Sequence, residues 1–392
     1  MSESLTFAPV DFDTFHRRDL PRLIADGRGA RAAADLRGGA PLALTVPGQG
    51  AFTYRPTGDT VEVVPGADAP TVAEISPAGW SDYANELRTC FGLLYADLVS
   101  FQRGDFDTLA HWEPAIRALY HDRPIYDPAT ATLPSDLHQS FTLDEAGWPE
   151  FFAAAGFVHL RGVFDADEVA ALVAETERLI DAARPGDGRS WWATRADGGE
   201  VCCRVTYTSL ASERIAALGA DPRLVRLAAL GGPGLVPTVD CLDGFAAVLK
   251  QPGAVEGLAD LPWHQDCGLG GHPVLCPGIQ LGIQLDAATA EHGQLHFLAG
   301  SQGRSCHQLR PADEATFPVV AVDTEPGDVT VHDPHLLHAA PPPTGTSTGR
   351  RALYVSYVRP ETVAYVGAGH GYNDVLFERD DRVRSVDEVK SR

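Results

Sequence analysis

The chain has 392 residues, enough for two domains that each bury a core of their own. Its 44% apolar and 21% charged content is that of a folded protein, and excludes a disordered one. A formal charge of −22 works against a nucleic-acid backbone or an anionic membrane as partner, since either would need a basic face.

The N-terminus, MSESLTFAPVDFD, lacks a basic segment followed by an apolar run, so no secretory signal is expected. No apolar run approaches the ~20 residues needed to span a bilayer. The seven cysteines, Cys90, Cys202, Cys203, Cys241, Cys267, Cys276 and Cys306, are odd in number and form no CxxC pair. That usage fits reduced thiols and a cytoplasmic location. Cys267 beside Asp266 reads as a small half-buried side chain.

Residues 1–128 read as an α+β unit. Arg22–Arg37 is alanine-rich and helical in character, and short β-like runs follow in PLALTVPGQGAFTYRP and TVEVVPGADAPTVAEI. From Trp80 to Leu98 the spacing of Trp80, Tyr83, Leu87, Phe91 and Leu94 predicts one helix. His111 and His121 stand apart and form no ligand cluster. From His121 to Phe141 the composition shifts, with Pro124, Pro128 and Pro134 among polar residues; this reads as a linker, bounded at 129–141.

A second unit spans 142–361. Trp148–Ala155 is helical with Pro149 in its first turn, and Gly156–Gly162 is a short strand. Asp165 and Glu168 form a capping box for a helix whose stripe is Val169, Leu172, Val173, Thr176, Leu179 and Ile180. Trp191–Thr208 reads as a loop followed by a strand, able to wall a pocket. Asp221–Leu230 is a further helix. The signal then turns to short strands: Phe245–Lys250, the strictly alternating IQLGIQLD at Ile279–Asp286, Gln294–Leu298, Val319–Val322, Asp328–His332 and Leu353–Val358. Many short strands after a helical preface predict a double-stranded β-helix, a jelly roll of cupin kind with flanking helices. Residues 362–392 read as a charged tail.

Two stretches carry the chemistry. LPWHQD, Leu261–Asp266, places His264 and Asp266 two residues apart, on one face if Trp263–Asp266 ends a strand. GDVTVHDPHLLH, Gly327–His338, supplies a remote histidine. Two imidazoles and one carboxylate on one side of a metal are a facial triad, the usual holder of non-haem Fe(II) with positions left open. His332, His335 and His338 compete for the remote place. Arg350 or Arg351, opening RRALYVSY, could grip a dicarboxylate with two parallel hydrogen bonds.

Together, GFVHLRGVFDADEVAALVAETE, WHQD, LDAATAEHGQLHFLAGS and GDVTVHDPHLLH before RRALYVSY resemble the phytanoyl-CoA dioxygenase family of Fe(II)/2-oxoglutarate oxygenases. The resemblance covers 142–360. It implies His264, Asp266 and His338 as iron ligands and Arg350 as the 2-oxoglutarate anchor, with Arg351 next. His332 and His335 fall outside the family's spacing from Gly327-Asp328 and are taken as structural or pocket residues. It further implies O₂ as cosubstrate, release of succinate and CO₂, and oxidation of a substrate C–H bond. A small hydroxyl residue often sits two after the distal histidine; here it is Ala340. Asp266 counts against the halide-using variant of this chemistry.

Ser76-Pro-Ala-Gly-Trp80 and Leu98-Val-Ser-Phe-Gln-Arg-Gly-Asp105 resemble a sterol-carrier-like lipid-binding module, which implies an apolar tunnel and a small, apolar substrate. The alternatives are a lipid carrier with an oxygenase-like scaffold, or a cupin metalloenzyme without 2-oxoglutarate. Oligomeric state is not readable.

Overall fold

The computed structural model describes residues 5–37, 39–254, 261–266, 278–310, 312–345, 349–369 and 389–390. Cys267, Cys276 and most of the expected 362–392 tail lie outside the described residues. Among the described residues no helix is long and apolar enough to cross a membrane.

Helical turns from Phe12 to Asp35 precede a five-stranded sheet. Its strands are β1 (Leu42–Val46), β2 (Gly50–Pro56), β3 (Val61–Pro65), β4 (Thr71–Ile75) and β5 (Val99–Arg103), in the order β3-β2-β1-β4-β5. β1 and β4 run parallel. The expected single helix from Trp80 to Leu98 is two, Pro77–Ala84 and Cys90–Tyr95. The break has a tertiary cause. Glu86 sits at a left-handed φ of 56° and is buried. Its carboxylate pairs with Arg123 at 2.5 Å and Arg117 at 3.6 Å, both on or just after the helix Phe106–His121. Thr89 then caps the second helix by accepting from the Gly92 N–H.

Phe12, Tyr54, Trp80, Tyr83 and Trp112 fill the interior of this unit and are fully buried. Phe12 and Trp80 meet edge to face at 4.8 Å. A polar chain threads these rings: His16 Nδ1 donates to Phe12 O at 2.7 Å, and Nε2 lies 2.5 Å from the Tyr54 hydroxyl. Burial pushes His16 down to about 4, and His121, beside Glu86, likewise to about 4. In the unfolded chain these imidazoles protonate near 6.5. Between roughly pH 6.5 and 4 the unfolded state therefore binds more protons than the folded one, and stability rises with pH. We expect the urea midpoint of the metal-free protein to fall as pH drops from 6.5 to 4.5, each group contributing at most about 1.4 kcal/mol per pH unit. His16→Phe should flatten that slope; an unchanged slope would reject the assignment.

The proline-rich segment is laid along the second unit. Tyr126 N–H donates to Ser305 O, Ser305 N–H to Pro124 O, and the Tyr126 hydroxyl to Ala299 O, each at 2.9 Å.

The second unit has two antiparallel sheets. The larger contains β6 (Phe157–Leu160), β7 (Ser190–Thr194), β8 (Glu200–Val205), β9 (Val236–Pro237), β10 (Ala246–Lys250), β12 (Gly278–Gln284), β15 (Val329–His332) and β17 (Arg350–Val358). Its order is β6-β15-β12-β17-β10-β8-β7, with β9 beside β17. The smaller, β11-β16-β13-β14, holds β11 (Leu261–His264), β13 (Leu295–Leu298), β14 (Val319–Val322) and β16 (His338–Ala340). Leu281, Val331 and Leu353 of one sheet and Phe297, Val320 and Ala340 of the other share one core, as in a jelly roll.

The helices Trp148–Ala155 and Ala166–Ala182 form where the pattern puts them, the second with both bonds of its Asp165/Glu168 capping box. Trp191–Thr208 differs from expectation. It is a hairpin, β7 and β8, because Asp197-Gly198-Gly199 turns the chain, with Gly198 at φ 83° and Arg195 N–H on Gly199 O. The last strand begins at Arg350, the first of the two arginines expected to open RRALYVSY, and runs to Val358. At the Gly-Asp turn, Gly327 has φ 92°, and a Cβ there would lie 2.3 Å from Phe164 O. Asp328 accepts from His159 Nε2 at 2.7 Å and Gly162 N at 2.8 Å, tying β6 to β15.

Candidate metal centre

His264 ends β11 and His338 begins β16, and the two are direct cross-strand partners. That register puts their ring centroids 4.3 Å apart. Asp266 joins them by a route other than the expected strand face. β11 stops at His264, and the Asp266 N–H donates to Pro334 O at 3.0 Å, which turns the carboxylate toward the histidines.

The tautomers are set by backbone. His264 Nδ1 lies 2.6 Å from Pro262 O, and His338 Nδ1 lies 2.9 Å from Leu336 O. A carbonyl oxygen only accepts, so each ring carries its proton on Nδ1 and presents Nε2 as a bare donor atom. These Nε2 atoms lie 3.8 and 3.6 Å from Asp266 Oδ1. The three potential ligand atoms lie within 4.8 Å of one another, and among the described residues this is the group of metal-ligand type so arranged.

Electrostatics agree with the geometry. Burial, then the neighbouring His264, pushes His338 down to about 3, and burial also lowers His264. Both imidazoles are held neutral, the form a metal needs. Burial alone would raise the Asp266 carboxyl; His338 and the hydrogen bond from His332 outweigh it and hold the carboxyl well below the usual range. Two neutral imidazole nitrogens and one carboxylate oxygen, already converged, fit Fe(II).

The remaining histidines separate. His335 N–H bonds its own turn at Asp333 Oδ1, 2.7 Å away. His332, at the end of β15 in the larger sheet, reaches the centre instead: its Nε2 is 3.2 Å from Asp266 Oδ2.

The two arginines part by strand alternation. In β17, Arg350, Tyr354 and Ser356 line a cavity whose volume, with the solvent at its mouth, is about 850 Å³. Arg351 points to the other face, where Asp286 takes Nε and Nη2 at 2.8 Å each and Glu177 takes Nη1 at 2.6 Å. Arg350 is 2% exposed, and among the described residues no carboxylate pairs with it. Its Nε donates to Gly293 O at 2.9 Å, and Tyr354 shares the cavity wall with it. Gly293 is required there: at φ 70° it turns its carbonyl to the guanidinium, and a Cβ would lie 2.4 Å from Pro341 O. Burial lowers Arg350, yet an arginine remains charged.

His264, Asp266, His332 and His338 open into the same cavity, beside Arg204, Leu242, Asp243 and Val248. Side-chain exposures of 12% for His264 and 22% for Asp266 mark their open side. Ala340 lines the wall with a methyl group, and its carbonyl accepts from the buried Lys250 Nζ. Tyr354 and Gly293 were missed in the sequence. Period two from Arg350 in RRALYVSY would have found the tyrosine; nothing local marks the glycine's carbonyl.

The model of the family described as phytanoyl-CoA dioxygenase (PhyH) matches residues 152–352, a little over half of the chain. The chain belongs to the phytanoyl-CoA dioxygenase family. No curated protein matches it. Among solved structures, AviO1 from Streptomyces viridochromogenes Tue57 is 33% identical over 56% of this chain and 96% of its own, with a TM-score of 0.43. SnoN, a non-heme alpha ketoglutarate dependent epimerase from nogalamycin biosynthesis, is 24% identical over 56% and 86%, with a TM-score of 0.42. EctD from S. alaskensis, solved with 2-oxoglutarate and 5-hydroxyectoine, is 20% identical over 60% and 82%, with a TM-score of 0.46. The phytanoyl-CoA dioxygenase family works with Fe(II), 2-oxoglutarate and O₂, which are therefore the cofactor and cosubstrates here.

Proposed function

We propose that this family member is a hydroxylase of an unactivated C–H bond in a small molecule, with His264, Asp266 and His338 holding Fe(II) and Arg350 anchoring 2-oxoglutarate. The observation that carries the reading is the meeting of two bare Nε2 atoms and one carboxylate oxygen in a cavity with a buried guanidinium that no described carboxylate neutralises. A buried cation without a counter-charge is costly, and a dicarboxylate arriving through the cavity removes that cost. Bound at the triad, iron supplies the O₂ activation that couples decarboxylation of 2-oxoglutarate to succinate and CO₂ with oxidation of the substrate.

The chain's own residues do the rest. Pro262 O and Leu336 O fix the proton on each Nδ1 and so aim each Nε2. Gly293 O orients the Arg350 fork for a two-pronged bond. Leu261, Val248 and Leu295 exclude water around the reacting carbon. The same wall carries Arg204 ion-paired with Asp243, so the substrate we favour combines hydrocarbon with a polar group, rather than being a plain acyl chain. We further propose that residues 1–128 form a separate domain, since their aromatic core includes no residue of 142–361.

The test is anaerobic addition of Fe(II) and 2-oxoglutarate to the metal-free protein. A weak visible absorption band, lost in His264→Ala, is expected. Its absence in folded, iron-loaded protein would favour a metalloenzyme that uses no 2-oxo acid.

A further inference from the structure

The two oxygens of Asp266 have different neighbours. Oδ1 faces the Nε2 atoms of His338 and His264, whereas Oδ2 faces His332 Nε2 at 3.2 Å. We propose that His332 is a positioning residue whose Nε2–H holds Asp266 Oδ2, so that the carboxylate offers the metal one oxygen in a fixed orientation. The inference rests on the metal-centre reading above and goes beyond it. Neither the HxD pair nor the distal histidine calls for a third imidazole.

Three observations separate this role from ligation and from plain packing. The histidines assigned as ligands each tie Nδ1 to a backbone carbonyl, which frees Nε2 for metal. His332 is arranged the other way: its Nε2 is engaged by the carboxylate, and its Nδ1 is buried with no hydrogen-bond partner. To ligate, it would have to abandon the bond to Asp266.

Packing is the second issue. The ring is 1% exposed, 4.6 Å from the His338 ring and 5.4 Å from Phe297. A phenylalanine would suit that site without stranding a nitrogen, and an unsatisfied buried polar atom costs stability. The third observation is placement. His332 ends β15 opposite Gln280 of β12, so it belongs to the larger sheet, whereas the strands bearing His264 and His338 belong to the smaller. The bond to Asp266 is a clasp from one sheet onto the centre of the other. With Oδ2 engaged by His332, Oδ1 is the oxygen left for the metal; binding through both oxygens would take a coordination position that the reactants need.

The experiment measures Fe(II) affinity of the full-length, metal-free protein under anaerobic conditions by calorimetry, with thermal midpoints recorded alongside. His332→Phe keeps an aromatic ring, a somewhat larger one, and removes the donor. We expect affinity to fall by about 10–100-fold, the range typical of a lost outer partner of a ligand, in a variant whose cooperative thermal transition shows that it is folded. His332→Gln restores an N–H donor and is expected to recover most of the affinity. Wild-type affinity in the folded phenylalanine variant would overturn the proposal, leaving His332 a core residue. A glutamine variant as impaired as the phenylalanine one would also overturn it, in favour of ligation by the ring itself. Failure of the wild-type chain to bind Fe(II) would bring down the metal-centre reading, and this inference with it.

Discussion

Asp266→Ala is expected to lose Fe(II) binding by well over about a hundredfold, more than the 10–100-fold that removal of a supporting partner produces. Turnover should fall by at least about a thousandfold, equivalent to roughly 4 kcal/mol of barrier. The reason lies in the charges. His264 and His338 enter the centre neutral, so the carboxylate is the one anion facing a divalent cation there among the ligands proposed. Its removal leaves two imidazoles that still converge but no longer balance the metal. Folding should survive, because Asp266 lies beyond the end of β11 and its backbone bond to Pro334 O is independent of the side chain. Asp266→Glu is the companion variant: it keeps the charge but lengthens the arm, and should retain partial iron affinity with poor turnover. Anaerobic calorimetry with Fe(II), with circular dichroism as the fold control, decides. Wild-type affinity in a folded alanine variant would remove Asp266 from the ligand set.

Arg350→Ala should leave Fe(II) affinity nearly intact and raise the KM for 2-oxoglutarate by on the order of 10²–10³-fold. Truncating one member of a buried, hydrogen-bonded charge pair costs about 2–5 kcal/mol, which converts to roughly 30- to 5,000-fold and brackets that range. Arg350→Lys should recover only part of the loss, since an ammonium cannot reproduce a two-pronged bond to a carboxylate. Arg351→Ala is the contrasting control. That side chain is engaged by Asp286 and Glu177 on the outer face, the latter 58% exposed, so its loss should leave the KM for 2-oxoglutarate unchanged and cost about 1 kcal/mol of stability. Initial rates of succinate formation across 2-oxoglutarate concentrations separate the two arginines. Equal effects at both positions, or none at Arg350, would refute the assignment of the anchor.

Much of the candidate site could be read from local pattern. Imidazole and carboxylate two residues apart, followed by a remote Gly-Asp and histidine, have few uses, and the family match over 152–352 spans both stretches. The direction of Asp266 is not contained in that spacing. The residue leaves the strand, and its direction comes from Pro334, which is close in space and distant in sequence. The choice between Arg350 and Arg351 was open for a similar reason. Period two says that adjacent residues face opposite ways, but the start of β17 and its register against β10 decide which one faces inward.

Misreadings elsewhere have the same origin. A helix over Trp80–Leu98 satisfies the apolar spacing, yet Glu86 is pulled into a left-handed turn by Arg117 and Arg123, which lie on a later helix and just beyond it. The hairpin at Ser190–Val205 carries its signal in Asp197-Gly198-Gly199, but the tryptophans before that turn have no alternating polar partner to mark the strand.

From the sequence alone followed the jelly-roll class of the second unit, the capped helix Ala166–Ala182 and the donor types of the candidate centre, while the cosubstrate chemistry came with the family resemblance. The first three follow because alternation, capping and donor chemistry act within a few residues. Only the tertiary structure decided that Gly293 holds Arg350, that backbone carbonyls set the tautomers of His264 and His338, and that His332 reaches Asp266 from the opposite sheet. Those contacts depend on the register and stacking of two sheets, and free energies of that kind are summed over pairs of residues far apart in the chain.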